Sequence, residues 1–270
     1  MKSNGSTNIK RVVLINDLSC FGNCSITVAL PIIASYGIEA VPLPTAILST
    51  HTSGFEGYTV LDMTSETERI IRHWKTIGLR FDGIYTGYFR TPEQIRMITR
   101  WIRECKDKET FLLVDPVIGD AQDLYAGLTQ EHVSAMRELC AIADVITPNR
   151  TEAAMLADMP ATAETKQLLD NLPASNAIIT GVPFEDEIGY LARINGEILQ
   201  VSRKRLEGIL YGAGDVFAAR LCAGYMRGDS LKTAFFDAAE FCEECIRQTE
   251  KVGPCHKYGL AYESVLKERK

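Results

Sequence analysis

The chain has 270 residues, 46% hydrophobic and 24% charged, with a formal net charge of −6. That is enough apolar sequence for one large domain or two small ones, and the acidic surplus argues against a phosphate backbone or an anionic membrane as the main partner. No stretch reaches the ~18 consecutive apolar residues of a membrane span, and the polar segment from Met1 to Lys10 lacks the apolar core of a secretory signal and reads as a short disordered tail.

Arg11 to Asn16 reads as a buried strand, and Ser25 to Tyr36 as a helix stopped by Gly37. Ala40 to Leu48 is a second extended run carrying Pro42 and Pro44. Thr64-Ser65 with Glu68 predicts a helix start of the capping-box kind, running to Gly78. Asp82 to Thr86 is a strand, and Pro92 to Glu104 a helix with proline in its first turn. Phe111 to Val114 is a strand that ends at Asp115-Pro116, Glu131 to Ile142 a helix, and Asp144 to Thr147 a strand that ends before Pro148. Ala177 to Thr180 is a further strand. Asn195-Gly196, between the β runs 190–194 and 197–201, is the strongest short hairpin signal and predicts a type I′ turn. Two long helices, Gly212 to Arg227 and Leu231 to Thr249, close the chain.

Alternating strands and helices predict an α/β fold with a mostly parallel central sheet, the late hairpin being added at one edge. No linker or repeat interrupts the pattern, so residues 11–270 are expected to form a single domain. Ligands of such sheets bind beyond the carboxyl ends of the strands. That rule singles out Asn16 to Gly22, Ser49 to Gly54, Thr86 to Tyr88, Asp115 to Asp120, Thr147 to Glu152 and Thr180-Gly181.

There are eight cysteines. Without a secretory signal, they are expected to be reduced thiols in the cytoplasm. Cys242 and Cys245, with Cys255-His256 beyond, admit a zinc reading. The stronger reading is a packed helical face, since residues three apart share one side of a helix.

The sharpest motif is Gly212-Ala213-Gly214-Asp215 ahead of an apolar helix. Glycines let backbone amides approach a phosphate, and the helix dipole favours negative charge there. An aspartate at that point suits the removal of a proton from an attacking hydroxyl. The plain alternative is a glycine turn with an aspartate N-cap. Asn149 and Glu152, three apart after a strand, suit water-mediated Mg2+ binding or, equally, a capping box. Neither a P-loop nor an H-R-D kinase set occurs, which excludes those two kinase classes.

An N-x-x-E after a middle strand with a late G-[AT]-G-D resembles the ribokinase-like superfamily. Over nearly its whole length the chain resembles the pyridoxal/pyridoxamine kinase branch. The segments that carry this are 17–25, 48–54, 85–88, Val114-Asp-Pro-Val-Ile-Gly-Asp120 and Thr147-Pro-Asn-Arg-Thr-Glu152, in the family's order. The resemblance implies a three-layer sandwich and ATP-dependent phosphorylation of the 5′-hydroxymethyl group of a vitamin B6 vitamer, with Mg2+ and an open question of a monovalent cation. It implies Asp215 as base and the amides of Gly212, Ala213 and Gly214 as an anion hole. Asp115, Asn149 and Glu152 would organise Mg2+ and the phosphates, with Asp120 nearby, and Thr147 and Thr180 would touch the nucleotide. His51, Thr52 and Tyr88 would line the ring pocket, with Asp17 and Ser19 at its floor. A homodimer that shields the hairpin edge is a further implication.

Each role has a bland rival: a capped loop residue for His51, core for Tyr88, a turn for Asp115, a solvated carboxylate for Asp120, a helix cap for Asp17. Four positions depart from the branch. Ala213 stands where many members have Thr, Asp17 where others have Ser, and Phe89-Arg90 where small residues are expected. An acid at position 17 can pair with a ring nitrogen or a substrate amine. A hydroxymethylpyrimidine or sugar kinase and a non-catalytic vitamer-binding protein are the competing functions.

Overall fold

The computed structural model describes residues 9–52, 54–204, 211–252 and 258–268. The expected tail falls almost wholly outside these residues, as do Cys255 and His256.

Nine strands form one sheet. In chain order they are β1 (Arg11–Ser19), β2 (Glu39–Leu48), β3 (Val60–Asp62), β4 (Gly83–Thr86), β5 (Phe111–Val114), then β8 (Val145–Ile146), β9 (Ala177–Phe184), β10 (Glu187–Ile194) and β11 (Glu197–Lys204). β6 (Gly119–Asp120) and β7 (Asp123–Leu124) make a separate two-stranded hairpin. The sheet order is β11-β10-β9-β8-β5-β4-β1-β2-β3. The neighbours from β2 through β1, β4, β5 and β8 to β9 are all parallel. Only β3 and the β9-β10-β11 meander run antiparallel.

The helices are α1 (Ser25–Ala34), α2 (Thr64–Thr76), α3 (Pro92–Cys105), α4 (Gln130–Cys140), α5 (Arg150–Ala157), α6 (Thr165–Asp170), α7 (Ala213–Arg227), α8 (Leu231–Val252) and α9 (Glu263–Glu268). They cover both faces, because successive side chains of a strand point to opposite sides. Val12 and Leu14 of β1, with Phe111 and Leu113 of β5, join the core under α1, α7 and α8. Val13 and Ile15, with Leu112 and Val114, join the core under α2 to α6. Strands buried on both faces read as unbroken apolar runs, which is why β1 and β5 are visible in the sequence.

This is the expected α/β three-layer sandwich, with the late hairpin at one edge. The hairpin turn carries φ of +51° at Asn195 and +81° at Gly196, as a type I′ turn requires. The chain also places β3 on the opposite edge, and β3, β6, β7, α6 and α9 were not foreseen. The expected capping box at Thr64 is corrected. Thr64 lies inside α2, whose N-cap, Met63, makes no side-chain cap. Asp62 Oδ1 instead accepts from the Thr64 amide at 2.7 Å and its hydroxyl at 2.6 Å. Among the described residues, no helix is long and apolar enough to cross a membrane.

Gly189 shows how tightly the meander is drawn. A Cβ there would lie 1.9 Å from the Val201 carbonyl oxygen. Gly189→Ala is expected to cost about 3 kcal/mol, the upper end for overpacking, and to lower the urea midpoint without changing the slope.

Candidate active site

The carboxyl ends of β1, β2, β4, β5 and β8 converge on a cleft of about 620 Å3. Asn16 and Asp17 come from β1, His51 and Thr52 from the loop after β2, and Tyr88 and Arg90 from the loop after β4. Asp115 follows β5, Thr147 follows β8, and Thr180 lies within β9. The α5 start supplies Asn149 and Glu152, and the α7 start supplies Gly212 to Asp215. Asp120 of β6 lines the cleft as well. Of the residues to which the resemblance gives a site role, Ser19 alone lies off the cleft wall; it is fully buried behind Asp17.

Asp17 is held by hydroxyls. Its carboxylate accepts from Ser25 Oγ at 2.6 Å and Ser19 Oγ at 2.8 Å. Burial raises its pKa, and these two hydroxyls pull it back down. Asp215 stands in the first turn of α7, where Asn16 Nδ2 donates to its Oδ1 at 3.4 Å. Burial pushes its carboxyl up to about 7, with the Asp17 charge adding and the Ser25 amide and Asn16 opposing. Asp115 accepts from Thr147 Oγ1 at 2.9 Å and is pushed up to about 8 by burial and by the Asp215 charge. Glu152 is held far above its usual range by burial and by Asp115.

Asn149 and Glu152 do form a reciprocal capping box. Asn149 Oδ1 accepts from the Glu152 amide at 2.9 Å, and Glu152 Oε2 accepts from the Asn149 amide at 2.8 Å. Asn149 Nδ2 donates to the Gly119 carbonyl at 2.8 Å, so this amide is spent on architecture. Glu152 nevertheless faces the cleft, so cap and cleft wall are one residue. Cys242 and Cys245 are both buried in α8, and among the described residues no group of three or more His, Cys, Asp or Glu side chains can hold a metal on its own.

The role that sequence reasoning missed is that of the side chain of Asn16, a residue named there only as the first of the segment at the carboxyl end of β1. Its Oδ1 accepts from the amides of Asp17 at 2.9 Å and Tyr88 at 2.8 Å, while its Nδ2 faces Asp215. One buried amide thus fixes three cleft residues from a strand, a loop and a helix. The signal was a lone polar residue closing an apolar run. Gly87 makes room for it, since a Cβ there would lie 2.3 Å from Asn16 Nδ2.

The family described as phosphomethylpyrimidine kinase matches residues 25–259. The chain belongs to this family. It is therefore a kinase, and the match takes in the cleft residues from Ser25 onward. A protein of Bacteroides thetaiotaomicron VPI-5482, assigned as a phosphomethylpyrimidine kinase, is 35% identical with a TM-score of 0.91, covering 100% of this chain and 96% of that one. Another crystal form of that protein contains pyridoxal. The pyridoxal kinase of Lactobacillus plantarum is 31% identical with a TM-score of 0.90, covering 97% and 96%. That likeness places the kinase in the pyridoxal kinase branch. The pyridoxine kinase of Bacillus subtilis (strain 168) is 28% identical over 238 residues, 81% of this chain and 84% of its own.

The kinase's glycine turn is sterically committed. Gly212 has φ of +76°, and a Cβ there would lie 2.3 Å from the Asn23 carbonyl oxygen. Gly212→Ala is expected to displace the start of α7 and lower kcat at least ~10²-fold, the scale of losing one oxyanion-hole donor. Steady-state kinetics beside a thermal melt separate this from unfolding. The carboxylates also predict a pH dependence of stability. Their folded pKa values are raised, so the stability they contribute is complete below pH ~4 and is lost as pH rises through 7 to 8. The free protein is expected to melt at a lower temperature at pH 8.5 than at pH 5.5, and Asp215→Asn should shrink that difference in a melt series.

Proposed function

We propose that the chain transfers the γ-phosphoryl group of ATP to the 5′-hydroxymethyl group of a vitamin B6 vitamer, acting as one kinase domain over residues 11–270. The observation that carries this reading is Asp215. It is a carboxylate in the first turn of a glycine-started helix, facing a ring-sized cleft, with its pKa raised to about 7. A base titrating near neutrality balances ionised fraction against proton affinity.

In the proposed step, the vitamer's 5′-hydroxyl oxygen attacks the γ-phosphorus. The oxygen–phosphorus bond forms as the bond to the β,γ-bridging oxygen breaks, and ADP leaves with that electron pair. The hydroxyl proton passes to an Asp215 carboxylate oxygen. Asn16 Nδ2 and the Ser25 amide steady that carboxylate. The amides of Gly212, Ala213 and Gly214 face the charge on the transferring group, as donors fixed before the reaction. Loss of the family threonine at Ala213 leaves the backbone amide in place. Most of the acceleration comes from positioning and charge stabilisation.

The ring would lie among His51, Thr52 and Tyr88, with Asp17 pairing a ring nitrogen or an amine. Ser19 acts through Asp17, holding its carboxylate. The nucleotide phosphates would lie beside Thr147, Asn149 and Thr180. Mg2+ fits the same wall, where Thr147 bonds Asp115 and Asn149 bonds Glu152. Asp115 and Glu152 are two buried carboxylates that repel one another, and a divalent ion takes few carboxylates and keeps several waters. When bound, that ion neutralises phosphate charge and draws both pKa values down. A cytoplasmic homodimer that covers the β11 edge completes the proposal.

A hydroxymethylpyrimidine substrate is the second reading, favoured by the description of the matching family. The base and amides would be unchanged. Purified protein with Mg·ATP should turn over pyridoxal, pyridoxamine or pyridoxine in preference to hydroxymethylpyrimidine or ribose. Turnover confined to the pyrimidine would replace the substrate and keep the mechanism. Asp215→Asn should lower kcat by roughly 10²–10⁴-fold while ATP still binds. The wild-type kcat/KM should rise with pH along a limb near 7, because the base works only when deprotonated; a flat profile between pH 5.5 and 8 would sink the role of Asp215.

A further inference from the structure

Five carboxylates among the described residues line the cleft: Asp17, Asp115, Asp120, Glu152 and Asp215. Arg90 is the one lysine or arginine among the described residues that does. It stands after the buried Phe89, where the branch is expected to carry a small residue. None of the ion pairs among the described residues involves it. A half-buried guanidinium in an acidic cleft, paired with none of those acids, is an expensive arrangement unless an anion meets it.

Its surroundings say where that anion sits. On one side the guanidinium lies against the Tyr88 hydroxyl, at the ring end of the cleft, where it opposes the effect of burial on that phenol. On the other, a Cβ built on Gly127 would stand 3.5 Å from Arg90 Nη1. Two residues before Gly127, Tyr125 feels the charges of Glu152, Asp120, Asp115 and Asp215. Arg90 therefore occupies the seam between the ring pocket and the phosphate end. That seam is where a phosphoryl group changes owner.

We propose that Arg90 is the phosphate-recognition residue of this cleft, its guanidinium engaging the phosphoryl group as it reaches the substrate oxygen and then holding the phosphomonoester product. The inference rests on the kinase reading above. Arginine's planar fork suits two phosphate oxygens at once, which an ammonium does not match. Its backbone is fixed independently of the side chain. The Arg90 amide donates to Gln94 Oε1 at 3.0 Å, and its carbonyl meets His132 Nε2 at 3.2 Å. A side-chain variant should thus keep the loop.

The test is equilibrium titration of the full chain with pyridoxal, pyridoxal 5′-phosphate and inorganic phosphate, comparing wild type, Arg90→Gln and Arg90→Lys, each checked by a thermal melt. The expected result is an unchanged melt and unchanged pyridoxal affinity, with binding of the 5′-phosphate and of inorganic phosphate weakened on the order of 10- to 100-fold in Arg90→Gln, the range of a charged hydrogen bond, and less in Arg90→Lys. Equal weakening of pyridoxal and its phosphate would assign Arg90 to the ring and overturn the proposal, as would phosphate affinities that do not change or a wild type that ignores phosphate. A wild type that binds no pyridoxal would remove the B6 reading alone, because the inorganic phosphate comparison still decides Arg90.

Discussion

Three buried carboxylates and the half-buried Asp215 crowd one end of a parallel sheet, and desolvation, with their mutual repulsion added to it, governs the rest of the site. Asp17 raises Asp215, Asp215 raises Asp115, and Asp115 raises Glu152. Left alone, such a chain of like charges is tolerated only by holding protons. A site that holds protons at neutral pH, and gives them up when cations arrive, suits the proposed reaction, in which a magnesium-bearing nucleotide and a ring that can carry positive charge enter together. The two acids with pKa values near neutrality sit on different elements, so their separation is set by the sheet and not by local sequence.

The fold keeps this cluster from collapsing by spending polar groups on each member. Two serine hydroxyls hold Asp17, Thr147 holds Asp115, and the backbone of residues 118 and 149 holds Glu152. Asn16 is the keystone, because one side chain reaches β1, the loop after β4 and the start of α7. Behind it, the two apolar faces of β1 and β5 lock the strands between helical layers. Rigid strand ends carrying polar tips give a site held to its geometry before any ligand arrives, the condition for electrostatic preorganisation. The single cleft arginine fits the same logic, as a fixed cation set against an excess of acids.

The Asn149–Glu152 pair shows that a bland reading and a functional one need not exclude each other. It is a capping box in every hydrogen bond, and Glu152 still contributes its charge to the cleft wall. The cysteine pair resolves more simply. Cys242 and Cys245 share a packed face of α8 under the same core as α1 and α7, as their spacing on a helix indicates.

Sequence by itself determined the alternation of buried strands and helices, the type I′ turn at Asn195-Gly196, and the glycine-started helix with Asp215 in its first turn. Each of these is encoded within a few neighbouring residues, through burial on both faces of a strand, a positive φ or a capping position. Short or edge elements such as β3, β6 and α6 were not legible, because two or three residues carry no periodicity and owe their form to the strand or helix beside them. The site was legible as a set of strand ends but not as an arrangement. Only the tertiary structure decided that Asn16 joins two of those ends to the start of α7, that Ser19 stands behind Asp17, that Arg90 shares the cleft with the acids, and that four carboxylates share one field. The reason is physical: electrostatic coupling and hydrogen bonding act through space, between residues as far apart in the chain as Asn16 and Asp215.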